Sequence, residues 1–307
     1  MKTDTKFCAP HIKAKHQGAI STCFRKNHLV DLIKAHDEHA YDKGGNTHKS
    51  QNKTKTKTKT KTKTKNPNYN NKTKQQLWEE LRDRLSGQCN NEWCWLDQNF
   101  AKKVNDADLH HFTFKPKTPN IWNNNPNEWL STTDIAKVMK QYEKLYPDFL
   151  FIGPVPLDCV YGGNLSCALK TLNLNNLIKK SNTRKLGIIY NLDYSWQSGS
   201  HWVSFFADFS KKTPVLTYFD SGGSPPPKEI QELMKNYEAQ LKEAGFKKVK
   251  LEVNTKQHQY ENTECGIYSM TFVIQRLKGK TLKAINKIRI PDKLMEKMRK
   301  KYYRPSK

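Results

Sequence analysis

The stretch Gln259-Tyr260-Glu261-Asn262-Thr263-Glu264-Cys265-Gly266-Ile267-Tyr268 decides how the chain is read, because a polar loop carrying a glutamine delivers a cysteine to the first turn of an apolar helix. After Cys265, the residues Ile267, Met270, Ile274 and Leu277 fall at i, i+3, i+7 and i+10, with Phe272 and Val273 widening the face, so the helix is expected to be buried. Free N–H groups and the positive dipole end at its N-terminus favour a thiolate over a thiol. Among the seven cysteines, Cys265 is the best candidate nucleophile.

Upstream lie groups that could activate it. Residues 201–209, His-Trp-Val-Ser-Phe-Phe-Ala-Asp-Phe, read as a strand, Ser210-Lys211-Lys212-Thr213 as a turn, and 214–219 as the returning strand. If the turn pairs Ser210 with Thr213, Asp220 falls opposite Val203, about 7 Å diagonally from His201. A carboxylate there can orient the imidazole. Asp208 competes for that role but lies too far along the strand, at about 3.3 Å per residue. Gln259 can offer a side-chain N–H to an oxyanion beside the backbone N–H of Cys265, with His258 as its rival. Each residue alone is unremarkable; a cysteine, a histidine, an acid and an amide, each at the end of an element, form a set suited to acyl transfer.

His201-Trp202, Asp220-Ser221, Gln259 six residues before Cys265, and Cys265-Gly266-Ile267-Tyr268 together resemble the ubiquitin-like-protein-specific cysteine proteases, a clan that includes the SUMO proteases and the adenovirus protease adenain. Within the clan the chain looks most like the thiol proteases of large cytoplasmic DNA viruses, through Asn191-Leu192-Asp193, residues 138–143 and residues 151–158. The resemblance is strong over residues 130 to 280. It implies an α+β papain-like core of the SUMO-protease/adenain type, a central mixed sheet packed on helices, with a helical N-terminal extension. It further implies His201, Asp220, Gln259 and Cys265 as catalytic residues, with no cofactor and no metal. Trp202 would form one wall of a narrow slot for small residues, and Trp196, or less readily Trp129, the other. The implied activity is a cysteine endopeptidase that cleaves viral structural precursors after pairs such as Gly-Gly or Ala-Gly, at the assembly site in the host cytoplasm and in the virion. SUMO or ubiquitin-like deconjugation and a His-acid-Cys acetyltransferase are the alternatives. One departure is Cys159, where the resemblance implies an aromatic residue.

Composition bounds the rest. Fifty-four Lys and Arg against twenty-nine Asp and Glu give +25 over 307 residues, an excess that suggests contact with DNA or another polyanion. No apolar run reaches the ~18 residues of a membrane span, and no signal-peptide core is evident, so a soluble, unexported protein is expected. Seven irregularly spaced cysteines fit reduced thiols better than a disulfide framework. Four domains of organisation are expected: a helical arm over 1–48, a Lys-Thr low-complexity linker over 49–74 with ten lysines and no acid, an extension over 75–128, and the protease domain over 129–307. In the arm, Cys8, His11, His16 and Cys23 lack a regular zinc-finger spacing. A helix from His28 to about Ala40 is expected to pack on the later domain, and 101–128 to be irregular with one or two short strands. The basic tail, Lys278 to Lys307, with a helix through Leu294 and Met298, reads as a solvated face.

Overall fold

A computed structural model describes residues 5–12, 20–45, 69–160 and 167–306. Most of the Lys-Thr tract, and His16, lie outside the described residues. The chain divides between Lys115 and Pro116 into two compact units.

In the first unit, helix Lys26–Gly45 and helix Lys74–Leu85 share a core of Leu29, Leu32 and Ile33 with Leu77, Trp78, Leu81 and Leu85. The earlier helix thus finds its apolar partner within its own unit. Thr73 caps the second helix in a capping box with Gln76, which fixes where order resumes. Trp78 Nε1 donates to Glu92 Oε1 at 2.6 Å, so a buried indole and a buried carboxylate satisfy each other. The sequence through 101–115 forms short helices, Asn99–Lys102 and Ala107–Phe112, and contributes no strand, only a single bridge between Phe114 and Cys8. Asp106 caps the second of these by accepting from the backbone N–H groups of Asp108 and Leu109.

The second unit holds a five-stranded mixed sheet in the order β1-β2-β3-β4-β5: Phe149–Pro156, Lys185–Asn191, Trp202–Asp208, Val215–Phe219 and Lys250–Val253. β1 lies parallel to β2, β2 through β4 are antiparallel, and β5 runs parallel to β4. Ser204 pairs with Phe219 and Asp208 with Val215, the hairpin register expected from the turn. Alternation splits β3 between two cores. Trp202 and Phe206 face helices Thr132–Leu145, Cys265–Leu277 and Asp292–Tyr302, whereas Val203, Phe205 and Ala207 face helices Leu174–Lys180 and Lys228–Glu243. With both faces covered, the central strands are buried along their length, which is why they read as nearly continuous apolar runs. The architecture is the expected α+β core.

Two expectations about chain organisation change here. Residues 116–128 belong to the second unit: Thr118 bonds to the Arg304 carbonyl, and Trp122 packs edge-on against Tyr303, their centroids 5.1 Å apart. The basic tail is not a solvated face throughout, since Met295, Tyr302 and Tyr303 are buried in the core against the Cys265–Leu277 helix. A charged sequence hid them because only one side of the helix enters the core while its lysines point out. The cysteines also differ from expectation. Cys8 bonds to Cys23, Cys89 to Cys94 and Cys159 to Cys167, across Cα separations of 5.2, 5.6 and 5.5 Å, leaving Cys265 free. These separations suit a disulfide, and only the fold reveals them. The pairing also rules out Cys8 and Cys23 as ligands of one metal ion and gives Cys159 a covalent partner where an aromatic side chain was implied.

Candidate active site

The end of β2, the start of β3, the end of β4 and the start of one helix meet where the candidate residues stand. His201 precedes β3 and Asp220 follows β4, so the hairpin register alone brings them side by side. His201 Nε2 lies 2.7 Å from Asp220 Oδ1. Asp220 is 2% exposed, and its carboxylate is held from behind by the backbone N–H groups of Gly222 at 2.8 Å and Ser224 at 3.2 Å. Asn254, at the end of β5, donates from Nδ2 to the Asp220 carbonyl at 2.5 Å. Burial raises the carboxyl's pKa, but bonding to His201 and these amides more than offsets it, and the group sits below its ordinary value of 3.8.

Cys265 opens helix Cys265–Leu277 and is buried. The thiol lies within electrostatic reach of His201; with Nε2 committed to the acid, Nδ1 is the nitrogen left to face it. Burial lowers the imidazole's pKa, yet the bonds and charges of Asp220 and Cys265 together raise it to about 10. An imidazole flanked by an acid and a thiol in this way can accept the thiol proton and later return it to a leaving group.

Gln259 is stapled to the residue after Asp220. Its backbone N–H donates to the Ser221 carbonyl at 2.9 Å, and its Oε1 accepts from the Ser221 hydroxyl at 2.6 Å. That second bond fixes the orientation of the amide, leaving Nε2 as the donor, and one of its two hydrogens goes to the Glu261 carbonyl at 2.5 Å. His258, the rival, is fully buried between Asn286, which Nε2 meets at 3.0 Å, and the backbone N–H of Ile290, which donates to Nδ1. It braces the loop instead. Asp208 caps the turn by accepting from Ser210.

Trp202 packs against Gly266, the residue after Cys265. Its Nε1 donates to the Leu130 carbonyl at 3.1 Å, and a Cβ built on Gly266 would stand 3.2 Å from its Cδ1 and 3.0 Å from Leu130 Cδ1. Glycine at 266 is therefore what allows indole and helix to approach. Trp196 is 74% exposed and rests edge-on against Tyr194, 5.0 Å between centroids, in the loop leading to His201. That loop is braced by Asp158, which accepts from Ser195 N–H and hydroxyl, and by Asp193, which accepts from Gly199 and Ser200. Trp129 is 40% exposed. The structure thus brings His201, Asp220, Cys265, Gln259 and Trp202 together, while Trp196 stands on the adjoining loop. Ser221 was read only as part of the Asp220-Ser221 pair, without its role in bracing Gln259, and Asn254 escaped the reading of the sequence because nothing marked it.

Comparisons with known proteins bear on this constellation. A family model described as YopJ Serine/Threonine acetyltransferase matches residues 164–304, less than half of the chain. A putative thiol protease of Acanthamoeba polyphaga mimivirus is 30% identical over 264 residues, covering 84% of this chain and 81% of the relative. A SUMO-1 cysteine protease of African swine fever virus is 32% identical over 118 residues, which is 38% of this chain and 43% of that protein. The crystal structure of the African swine fever virus protease shares the fold, with a TM-score of 0.62 at 18% identity over 99% of this chain and 97% of that one. The chain belongs to the family of viral thiol proteases represented by the mimivirus protein, and it is a cysteine protease.

Proposed function

We propose that the protein is an endopeptidase that processes viral structural precursors after small residues such as Gly-Gly or Ala-Gly, through an acyl-enzyme on Cys265. The observation that carries the chemistry is the single imidazole of His201, hydrogen-bonded to Asp220 and electrostatically coupled to Cys265, the one free cysteine among the described residues. In this reading His201 takes the proton of Cys265, and the thiolate attacks the scissile carbonyl. The oxyanion accepts from the Cys265 backbone N–H and Gln259 Nε2. His201 then gives the proton to the departing amine, leaving a thioester. Water, activated by the same imidazole, releases the acid and restores the thiol. Asp220 holds the ring throughout.

Specificity follows from Trp202. Its indole is fixed by Leu130 and abuts Gly266 one residue from the nucleophile, so a substrate side chain larger than Ala beside it would require moving the strand that places His201. Overpacking of that kind costs about 1 to 3 kcal/mol. Trp196 would form the facing side. The assembly site in host cytoplasm, the virion and a polyanion bound by the basic tract complete the reading, supported by the viral relatives and the +25 charge.

Two other acceptors or substrates suit the same chemistry. The African swine fever virus relative's description favours SUMO deconjugation, and the YopJ match favours acetyl transfer to a hydroxyl. Incubating the pure protein with candidate precursors, with SUMO fusions and with an acetyl donor, and reading products by mass spectrometry, separates them. New N-termini following small residue pairs in the precursors support the proposal; acetylated products without cleavage contradict it.

A further inference from the structure

Glu264, the residue before Cys265, is wholly buried, and its carboxylate stands at the N-cap of the nucleophile's helix without accepting any N–H of that helix. An unpaired anion there would oppose formation of a thiolate at the next residue. Arg299, on helix Asp292–Tyr302, meets it. Arg299 Nε lies 2.9 Å from both Glu264 oxygens and Nη2 2.8 Å from Oε1, with the guanidinium side chain only 5% exposed. The same guanidinium donates to the Thr263 carbonyl at 3.0 Å, the Glu128 carbonyl at 2.6 Å and the Asn127 carbonyl at 3.3 Å, and lies 4.4 Å over the ring of Trp122. Glu128 is two residues before Leu130, whose carbonyl holds the indole of Trp202. Burial raises the carboxyl of Glu264 above its ordinary value, and Arg299 pulls in the opposite direction, with Thr263 on its side and Glu296 against it.

We propose that Arg299 is a positioning residue for the reaction of Cys265: through Glu264 and Thr263 it fixes the loop that starts the nucleophile's helix, through Glu128 it fixes the segment that holds Trp202, and it cancels a carboxylate adjacent to the thiol. The inference rests on the reading of Cys265 as the nucleophile. A buried ion pair of this kind is weak evidence for stability, because desolvation offsets the attraction; what distinguishes this one is that Glu264 and Thr263 immediately precede Cys265, while Glu128 lies two residues before the Leu130 whose carbonyl holds Trp202. The planar fork is essential, since an ammonium carries the charge but cannot reach a carboxylate and three carbonyls at once.

The test uses the full-length protein and four variants, Arg299→Lys, Arg299→Met, Glu264→Gln and the double Arg299→Met/Glu264→Gln. Three readouts are taken: thermal midpoint, the rate of Cys265 alkylation by iodoacetamide, followed by mass spectrometry, and kcat and KM on a small peptide. Arg299→Lys is expected to stay folded while kcat and the alkylation rate each fall about tenfold, with KM changed less than about twofold, the pattern of a lost transition-state arrangement. Arg299→Met should lose more, and adding Glu264→Gln should restore part of the alkylation rate by removing the charge that Arg299 cancels. If Arg299→Met does not fold, Arg299→Lys and Glu264→Gln decide. Wild-type alkylation and turnover in both would overturn the inference, as would losses that merely track the folded fraction. A wild-type protein that cleaves no peptide, yet shows alkylation dependent on Arg299, supports this inference and refutes the proposed substrate.

Discussion

With an acid 2.7 Å from one nitrogen and Cys265 within electrostatic reach of the ring, His201 cannot lose its proton cheaply, and its pKa of about 10 expresses that. The sign for stability follows. Because the folded value lies above the ordinary 6.5, the His201 contribution is full below pH 6.5 and is lost as pH rises through about 10. Asp220 sits below its ordinary 3.8, so its contribution is full above that value and is lost on further acidification. Thermal midpoints across pH should therefore fall at both ends in the wild type, and the alkaline fall should be smaller in His201→Ala; an identical alkaline fall would show that the imidazole is not held as described. Substituting Cys265 or His201 with Ala should abolish turnover without unfolding the protein, whereas Gln259→Ala should leave about one hundredth to one thousandth of the rate, as expected for one missing oxyanion donor. These residues were legible because each role demands a distinct residue type at the end of an element. Asn254 and Arg299 were not, since a side chain bonding to a backbone carbonyl leaves no spacing to recognise.

Elements were legible in proportion to their length and to how far local pattern agreed with final environment. The hairpin register followed from one turn, and the apolar helix after Cys265 is buried almost throughout, as its all-round hydrophobicity demanded. Residues 101–128 failed the other way: one-turn helices such as Ala107–Phe112 are too short for a period and are held by a cap and by tertiary contacts. The C-terminal helix was misjudged because its lysines outnumber the few side chains that count. Met295 is 1% exposed, and the hydroxyls of Tyr302 and Thr271 share a 2.8 Å hydrogen bond onto the Cys265–Leu277 helix. Met295→Ala should thus cost about 2 to 5 kcal/mol by chemical denaturation, the range for emptied core sites, whereas a solvated helix would show almost none. Gly266→Ala tests the other contact of that helix. Its new Cβ would press on Leu130 and Trp202, so lower stability and slower cleavage are expected together; an unchanged variant would mean that the indole yields freely.

At the scale of the molecule, the chain couples a protease unit to a lysine-rich tract that no catalytic step needs. If the tract serves to hold the enzyme on a polyanion, affinity for DNA should fall steeply with salt, and removing residues 49–68, which leaves Tyr69 and the Thr73 cap in place, should weaken binding while sparing cleavage of a small peptide. Affinity independent of salt would exclude that role. Among the described residues no helix is long and apolar enough to cross a membrane. Six of the seven cysteines pair with one another, and only the fold could show this, because pairing depends on distances that spacing in sequence does not contain. The seventh is Cys265. That isolation makes a covalent trap decisive: a peptide ending in Gly-Gly with a vinyl ester in place of the scissile bond should add once to the wild-type protein, with the adduct mapped by mass spectrometry to Cys265 and absent in His201→Ala, whereas a protein that cleaves the matching peptide yet carries no adduct, or carries it on another residue, would contradict the assignment of Cys265 as the nucleophile.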